Sequence, residues 1–206
     1  MKKTLIALII LTLSFGVVGC DSDKEETTSN SNEVVTQEES KENDKRSSDE
    51  MYELYASKVE EVEKLFEENN LDFKFKNDTN NKKYDEKVSL SYEDSSNNNI
   101  GEFSVANFGL VFDKNGEILI MSSRMSLNVN DDEMKTKEFK FEDTEFSKLK
   151  NILIPEINNI DEINKKVNEG YKNLTSTKTI ELKNGNIKES FILGNNMLAY
   201  TVVIYP

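Results

Sequence analysis

The stretch FSVANFGLVFDKNGEILIMSSRMSL, residues 103–127, decides the fold. Phe103 and Val105 share one parity, and Phe108, Leu110 and Phe112 the other. Alternation with period two marks a strand with one buried face. The change of parity predicts a bulge near Ala106-Asn107. Asp113-Lys114-Asn115-Gly116-Glu117 reads as a hairpin turn, with Gly116 at positive φ. A three-residue loop there places Phe112 opposite Ile118 and Leu110 opposite Ile120, with both pairs on one face. The strand then continues through Met125 and Leu127. The centre of the chain is therefore an antiparallel hairpin.

Upstream, Leu71, Phe73 and Phe75 share one face of a short predicted strand, and Val88, Leu90 and Tyr92 one face of a second. Asn-rich loops flank them at 77–83 and 94–99. Before these, Met51, Tyr55, Val59, Val62 and Phe66 recur at helical spacing, with Leu54 and Leu65 beside them. Ser47-x-x-Glu50 is a capping-box pattern, and Asn69-Asn70 ends the helix. This amphipathic helix is expected to pack on the domain's own sheet rather than in a coiled coil with a partner.

Downstream, a turn at Asp131-Asp132 is expected to lead to a strand carrying Phe139 and Phe141. Two short helices follow. Asp143 or Thr144 opens the first, with Phe146, Leu149, Ile152 and Leu153 inward and Pro155 as its stop. Asn159-x-x-Glu162 opens the second, with Ile160, Ile163 and Val167 inward and Gly170 near its end. The tail reads as a three-strand meander with turns at Asn184-Gly185 and Gly194-Asn195-Asn196. Its last strand, Met197 to Tyr205, is almost continuously apolar, as expected of a central strand covered on both faces. The fold class is α+β: an N-terminal helix, an antiparallel sheet, two short helices and the meander. The outline resembles cystatin-like and NTF2-like folds, although no motif carries that resemblance.

The first twenty residues are of another kind. Met1-Lys2-Lys3 precedes an apolar run from Leu5 to Val18, then Gly19-Cys20. That is the order of a secretory signal, and the run is shorter than the ~20 apolar residues of a membrane span. Val17-Val18-Gly19-Cys20 resembles the lipobox of bacterial lipoproteins. The resemblance implies cleavage between Gly19 and Cys20, a lipid on the Cys20 thiol, and anchoring at the outer face of a cell membrane. Cys20 is the only cysteine, so no disulfide forms within one chain. Residues 21–48 are Ser, Thr, Asn, Glu, Asp and Lys, with Gln37 and Arg46, around Val34 and Val35 as the only apolar residues. A segment so poor in apolar surface is expected to be a disordered tether. The expected organisation is a signal peptide at 1–19, the lipidated Cys20 and its acidic tether at 20–47, and one α+β domain at 48–206. Twenty-four lysines against two arginines, with abundant Asn and scarce Pro, read as the codon bias of an AT-rich genome. With the lipobox, this suggests a Gram-positive source.

Net charge is −13 over the whole chain. Such a balance disfavours nucleic acid, whose binding needs Lys and Arg against phosphates. His is absent, which removes Ser-His-Asp and Cys-His systems and imidazole metal sites. Ser147-x-x-Lys150 has the spacing of a Ser–Lys dyad but lacks the further motifs that accompany one. Asp113-x-Asn115 and Asp131-Asp132-Glu133 could in principle meet calcium, yet turn chemistry explains both more simply. Asn77-Asp78-Thr79 and Asn173-Leu174-Thr175 match a glycosylation sequon that carries no expectation in a bacterial lipoprotein. No catalytic, cofactor-binding or metal site is expected, and no cofactor. The expected function is a non-enzymatic, membrane-anchored binding or accessory module for an envelope protein partner. The alternatives are capture of a cationic peptide, a small-molecule or lipid carrier, and a carboxylate-based hydrolase.

Overall fold

The computed structural model describes residues 45–79 and 85–206. The predicted signal peptide, Gly19, Cys20 and the tether up to residue 44 lie outside the described residues, as do residues 80–84 of the first Asn-rich loop.

Helix α1 (Ser48–Glu68) opens with the expected box: Ser47 accepts from the Glu50 backbone N–H, and Glu50 reaches back to the Ser47 N–H at 2.7 Å. Both bonds satisfy donors that a helix start leaves free. The strands β1 (Lys74–Thr79), β2 (Glu86–Glu93), β3 (Phe103–Phe112) and β4 (Ile118–Asn128) follow as a meander. Next come α2 (Asp131–Thr136), a 3-10 turn at Phe141–Asp143, α3 (Glu145–Leu153) and α4 (Ile160–Lys172). Strands β5 (Lys178–Asn184), β6 (Ile187–Leu193) and β7 (Met197–Ile204) close the chain. All seven strands form one antiparallel sheet in the order β1-β2-β3-β4-β7-β6-β5. The two meanders thus join through β4 and β7. The fold is α+β.

Helices α1, α3 and α4 pack on one face of this sheet. Tyr55 of α1 stacks on Phe108 of β3, with ring centroids 4.8 Å apart. Phe141, Phe146, Phe191 and Tyr200 form a second aromatic cluster under α3. Each ring meets its neighbour tilted or edge-on, the arrangement that the ring quadrupole favours.

Five local expectations are corrected. The bulge in β3 sits at Ser104, since Phe103 pairs with Leu127 while Val105 pairs with Ser126. A second bulge at Leu119 moves the register after the first pair. Phe112 faces Ile118 as expected, but Leu110 faces Met121. That choice buries Met121 and leaves Leu119, the extra residue, exposed. Strand β1 begins at Lys74, so Leu71 and Phe73 precede it, and Phe75 is 63% exposed on a fully exposed edge strand that runs on to Thr79. Phe139 and Phe141 are buried without a strand, because Asn side chains of α4 take the place of a strand partner. Asn168 Oδ1 accepts from the Phe139 N–H, its Nδ2 donates to the Phe139 carbonyl, and Asn164 Oδ1 accepts from the Phe141 N–H at 2.7 Å. Finally, β7 lies between β4 and β6 as expected of an inner strand, yet the helices cover one face only. Leu198, Tyr200, Val202 and Ile204 face them, while Met197, Thr201 and Val203 are half-buried on the other face.

Candidate functional site

Two places hold polar groups that packing alone does not require. The first is inside. Glu189 of β6 lies beneath the helices, and its side chain and that of Lys150 are each 3% exposed. Lys150 Nζ donates to Glu189 Oε2 at 3.0 Å, Tyr200 donates its hydroxyl to the same oxygen, and Asn159 Nδ2 donates to Oε1 at 2.7 Å. The carboxylate is thus held by three donors, as a buried charge requires. Burial first, and then the charge and hydrogen bond of Glu189, push the Tyr200 hydroxyl well above its ordinary pKa. Lys150 is therefore committed to Glu189 rather than to Ser147. The Ser147 hydroxyl donates to the carbonyls of Thr144 and Glu142 instead. Ser147 and Lys150 both lie on the buried side of α3, but each is bonded elsewhere and no dyad forms.

The second place is the sheet face that no helix covers. Its middle row runs Lys74, Ser91, Asn107, Arg124, Thr201, Ser190, Glu181, one residue from each strand. Every member is polar, and Arg124 is the fourth of the seven. The flanking rows bring small residues beside it: Gly109 and Ser122 on one side, Ser126 and Ala199 on the other. Gly109 is required there, because a Cβ would meet the Val88 carbonyl oxygen at 2.2 Å and Ser89 Cβ at 2.6 Å. The half-buried Arg124 side chain lies along β4. Its Nε donates to Ser126 Oγ at 3.2 Å, and one Nη approaches Met197 Sδ at 4.0 Å. Burial lowers its pKa. None of the ion pairs among the described residues includes it.

The face carries six cations: Lys74, Lys76, Lys87, Arg124, Lys183 and Lys188. Its acids are Asp78, Glu93 and Glu181, on the edge strands β1 and β5 and on β2 beside the first of them. Glu181 pairs with Lys188, and Glu93 lies 4.0 Å from Lys76. The face is thus basic on a chain of net charge −13.

The Asp113 loop is the expected turn, whereas Asp131-Asp132 opens a helix instead of the expected turn. Asp113 Oδ1 accepts from the backbone N–H groups of Asn115 and Glu117, which lowers its pKa. Asn130 caps α2, whose first turn is Asp131-Asp132-Glu133. No group of three potential metal ligands occurs among the described residues. A surface groove of about 320 Å³ lies between Leu127, Met134, Phe139 and Leu198, with the exposed Ile100 at its rim. No helix among the described residues is long and apolar enough to cross a membrane.

No family model, no curated protein and no solved structure matches the chain. The resemblance in outline to cystatin-like and NTF2-like folds therefore names no family.

The apolar phase of each strand, which marks the core, carries no trace of the polar row. The signal is there in the opposite phase: Ser89 and Ser91, Asn107 and Gly109, then Ser122, Arg124 and Ser126.

Proposed function

We propose that this chain is a non-enzymatic lipoprotein of the bacterial envelope, anchored through Cys20, that binds a protein partner through the open face of its sheet. The observation that carries the reading is the unbroken polar row across seven strands with the unpaired Arg124 at its centre. A sheet face left without helices is solvated by ordinary polar residues, but a half-buried cation with no counter-charge among the described residues adds nothing to the stability of the isolated domain. Such a group is tolerated where an external surface completes it. The interior Glu189 cluster supports the non-enzymatic reading, since the Glu189 carboxylate is taken up by three donors and Lys150, Glu189 and Tyr200 are all buried.

The anchor is supported by the basic start, apolar run and lipobox of residues 1–20. A diacylglycerol brings two chains, and two chains anchor stably where one does so only marginally.

The test is crosslinking in intact cells, followed by recovery of the protein from membrane and soluble fractions beside a Cys20→Ala control. A defined envelope protein that copurifies with the membrane-bound form, and is lost with Cys20→Ala, is the expected outcome. Equal membrane recovery of the Cys20→Ala chain would rule out the lipid anchor.

A further inference from the structure

We propose that Arg124 is the anchor of the open face, and that its partner is a protein surface presenting a single carboxylate at the position facing that guanidinium. This rests on the open face being the binding surface and adds the chemistry of what it binds.

The geometry of Arg124 comes first. Only Nε has a good acceptor, the Ser126 hydroxyl, and thioether sulfur is a weak one. The remaining donors of the planar fork have no oxygen acceptor among the described residues. Such a fork fits a carboxylate by two parallel hydrogen bonds, which an ammonium cannot offer. The chain has 39 acidic residues, so the want of a counter-charge at this place is not a general shortage.

The surroundings then select the class of partner. Beside Arg124 stand the half-buried Asn107, Thr201 and Ser122, side chains that both donate and accept. They match a surface that is mixed in the same way, as peptide groups and polar side chains are. A uniformly anionic polymer or lipid layer would meet the carboxylates of Asp78, Glu93 and Glu181 away from the centre and find Arg124 as the one cation on the three central strands. The size also fits a protein. Seven strands at ~4.8 Å spacing span about 29 Å, and eight residues at ~3.3 Å rise run about 26 Å. The product is close to the ~800 Å² that each partner buries in an interface of standard size.

The test places a benzophenone side chain at Ser190 on the open face, or at Tyr52 on α1 for comparison, in the full lipid-bearing chain in intact cells. The expected result is an adduct from Ser190 to one envelope protein, at a peptide containing Asp or Glu. Arg124→Glu should lower its yield about thirtyfold or more. Replacing the partner's acid by Arg in the Arg124→Glu background should restore it. Arg124→Gln, run beside these with its thermal unfolding measured, should lose the adduct while keeping the fold. An adduct that persists in Arg124→Glu overturns the anchor role and leaves the binding face standing. An adduct lost in Arg124→Glu but not restored by any Arg at the partner's acids overturns the carboxylate. Adducts to lipid or wall polymer alone overturn the protein partner. Adducts from Tyr52 but not Ser190, or from neither position, overturn the binding face and the anchor together.

Discussion

Asn159 gives its side-chain amide to Glu189, 2.7 Å away on the sheet, and not to the first turn of the helix it opens. The start of α4 is left without a side-chain cap, and the buried carboxylate gains a third donor. A charge in a dry interior has a larger claim on a hydrogen bond than a helix start that water can reach. It follows that Glu189 cannot lose a partner cheaply. Lys150→Met should lower stability by about 3–5 kcal/mol, because it leaves an uncompensated buried charge. Lys150→Met combined with Glu189→Leu should recover most of that loss. Urea unfolding of the three proteins decides, and equal losses in the single and double variants would contradict the coupling.

Tyr200 and Tyr171 set the alkaline limit. Both hydroxyls are pushed up, chiefly by burial, and Asp131 adds to the effect at Tyr171. The folded chain therefore keeps protons that the unfolded chain releases near pH 10. The stability is fully present below pH 10 and falls as pH rises past it toward the folded values. The slope should approach about 1.4 kcal/mol per pH unit for each tyrosine. Denaturation followed from pH 9 to 11 should show this, and Tyr171→Phe should remove one share. An unchanged slope in Tyr171→Phe would count against the assignment.

Two glycines should respond differently to alanine. A Cβ at Gly109 meets backbone, the Val88 carbonyl oxygen at 2.2 Å. A Cβ at Gly170 meets the tip of a side chain, Leu193 Cδ1 at 2.5 Å. Gly109→Ala should cost at least about 3 kcal/mol, at or beyond the upper end of ordinary overpacking. Gly170→Ala should cost about 1 kcal/mol, since the leucine can turn and alanine is the better helix former. Thermal unfolding of both variants checks the order.

Arg124 should contribute nothing to folding. Arg124→Gln keeps a donor for Ser126 and removes a half-buried charge that has no counter-ion among the described residues. Stability should stay within about 0.5 kcal/mol or rise. A loss above about 1 kcal/mol by calorimetry would make Arg124 a structural residue.

The sequence made the elements legible wherever one apolar phase ran unbroken. Helix α1 with its box, the turn at Gly116 and the whole C-terminal meander stand where periodicity put them. Leu110 and Ile120 show where that logic ends. A bulge inserts one residue at little local cost, so the register of β4 was settled by which residue best fills the core, Met121, and turn length does not reveal that. Phe139 and Phe141 show a second limit. Their backbone partners are Asn164 and Asn168, more than twenty residues away in the chain, and a segment bonded by side chains carries no strand signature of its own. The Glu189 cluster was invisible for the same reason. Its four members come from α3, the start of α4, β6 and β7, and only the fold brings them together.

Ser48 ties the beginning of α1 to the turn between β3 and β4. Its hydroxyl donates to Glu117 Oε2 at 2.6 Å and accepts from the Ile118 N–H at 2.9 Å. Tension arriving along the chain from before Lys45 therefore meets the sheet at two interior strands, each hydrogen-bonded on both sides, and not at an edge that could peel. Under the proposed Cys20 anchor, the domain is loaded at a place where many bonds must fail together, so it should withstand drag better than its equilibrium stability alone would suggest.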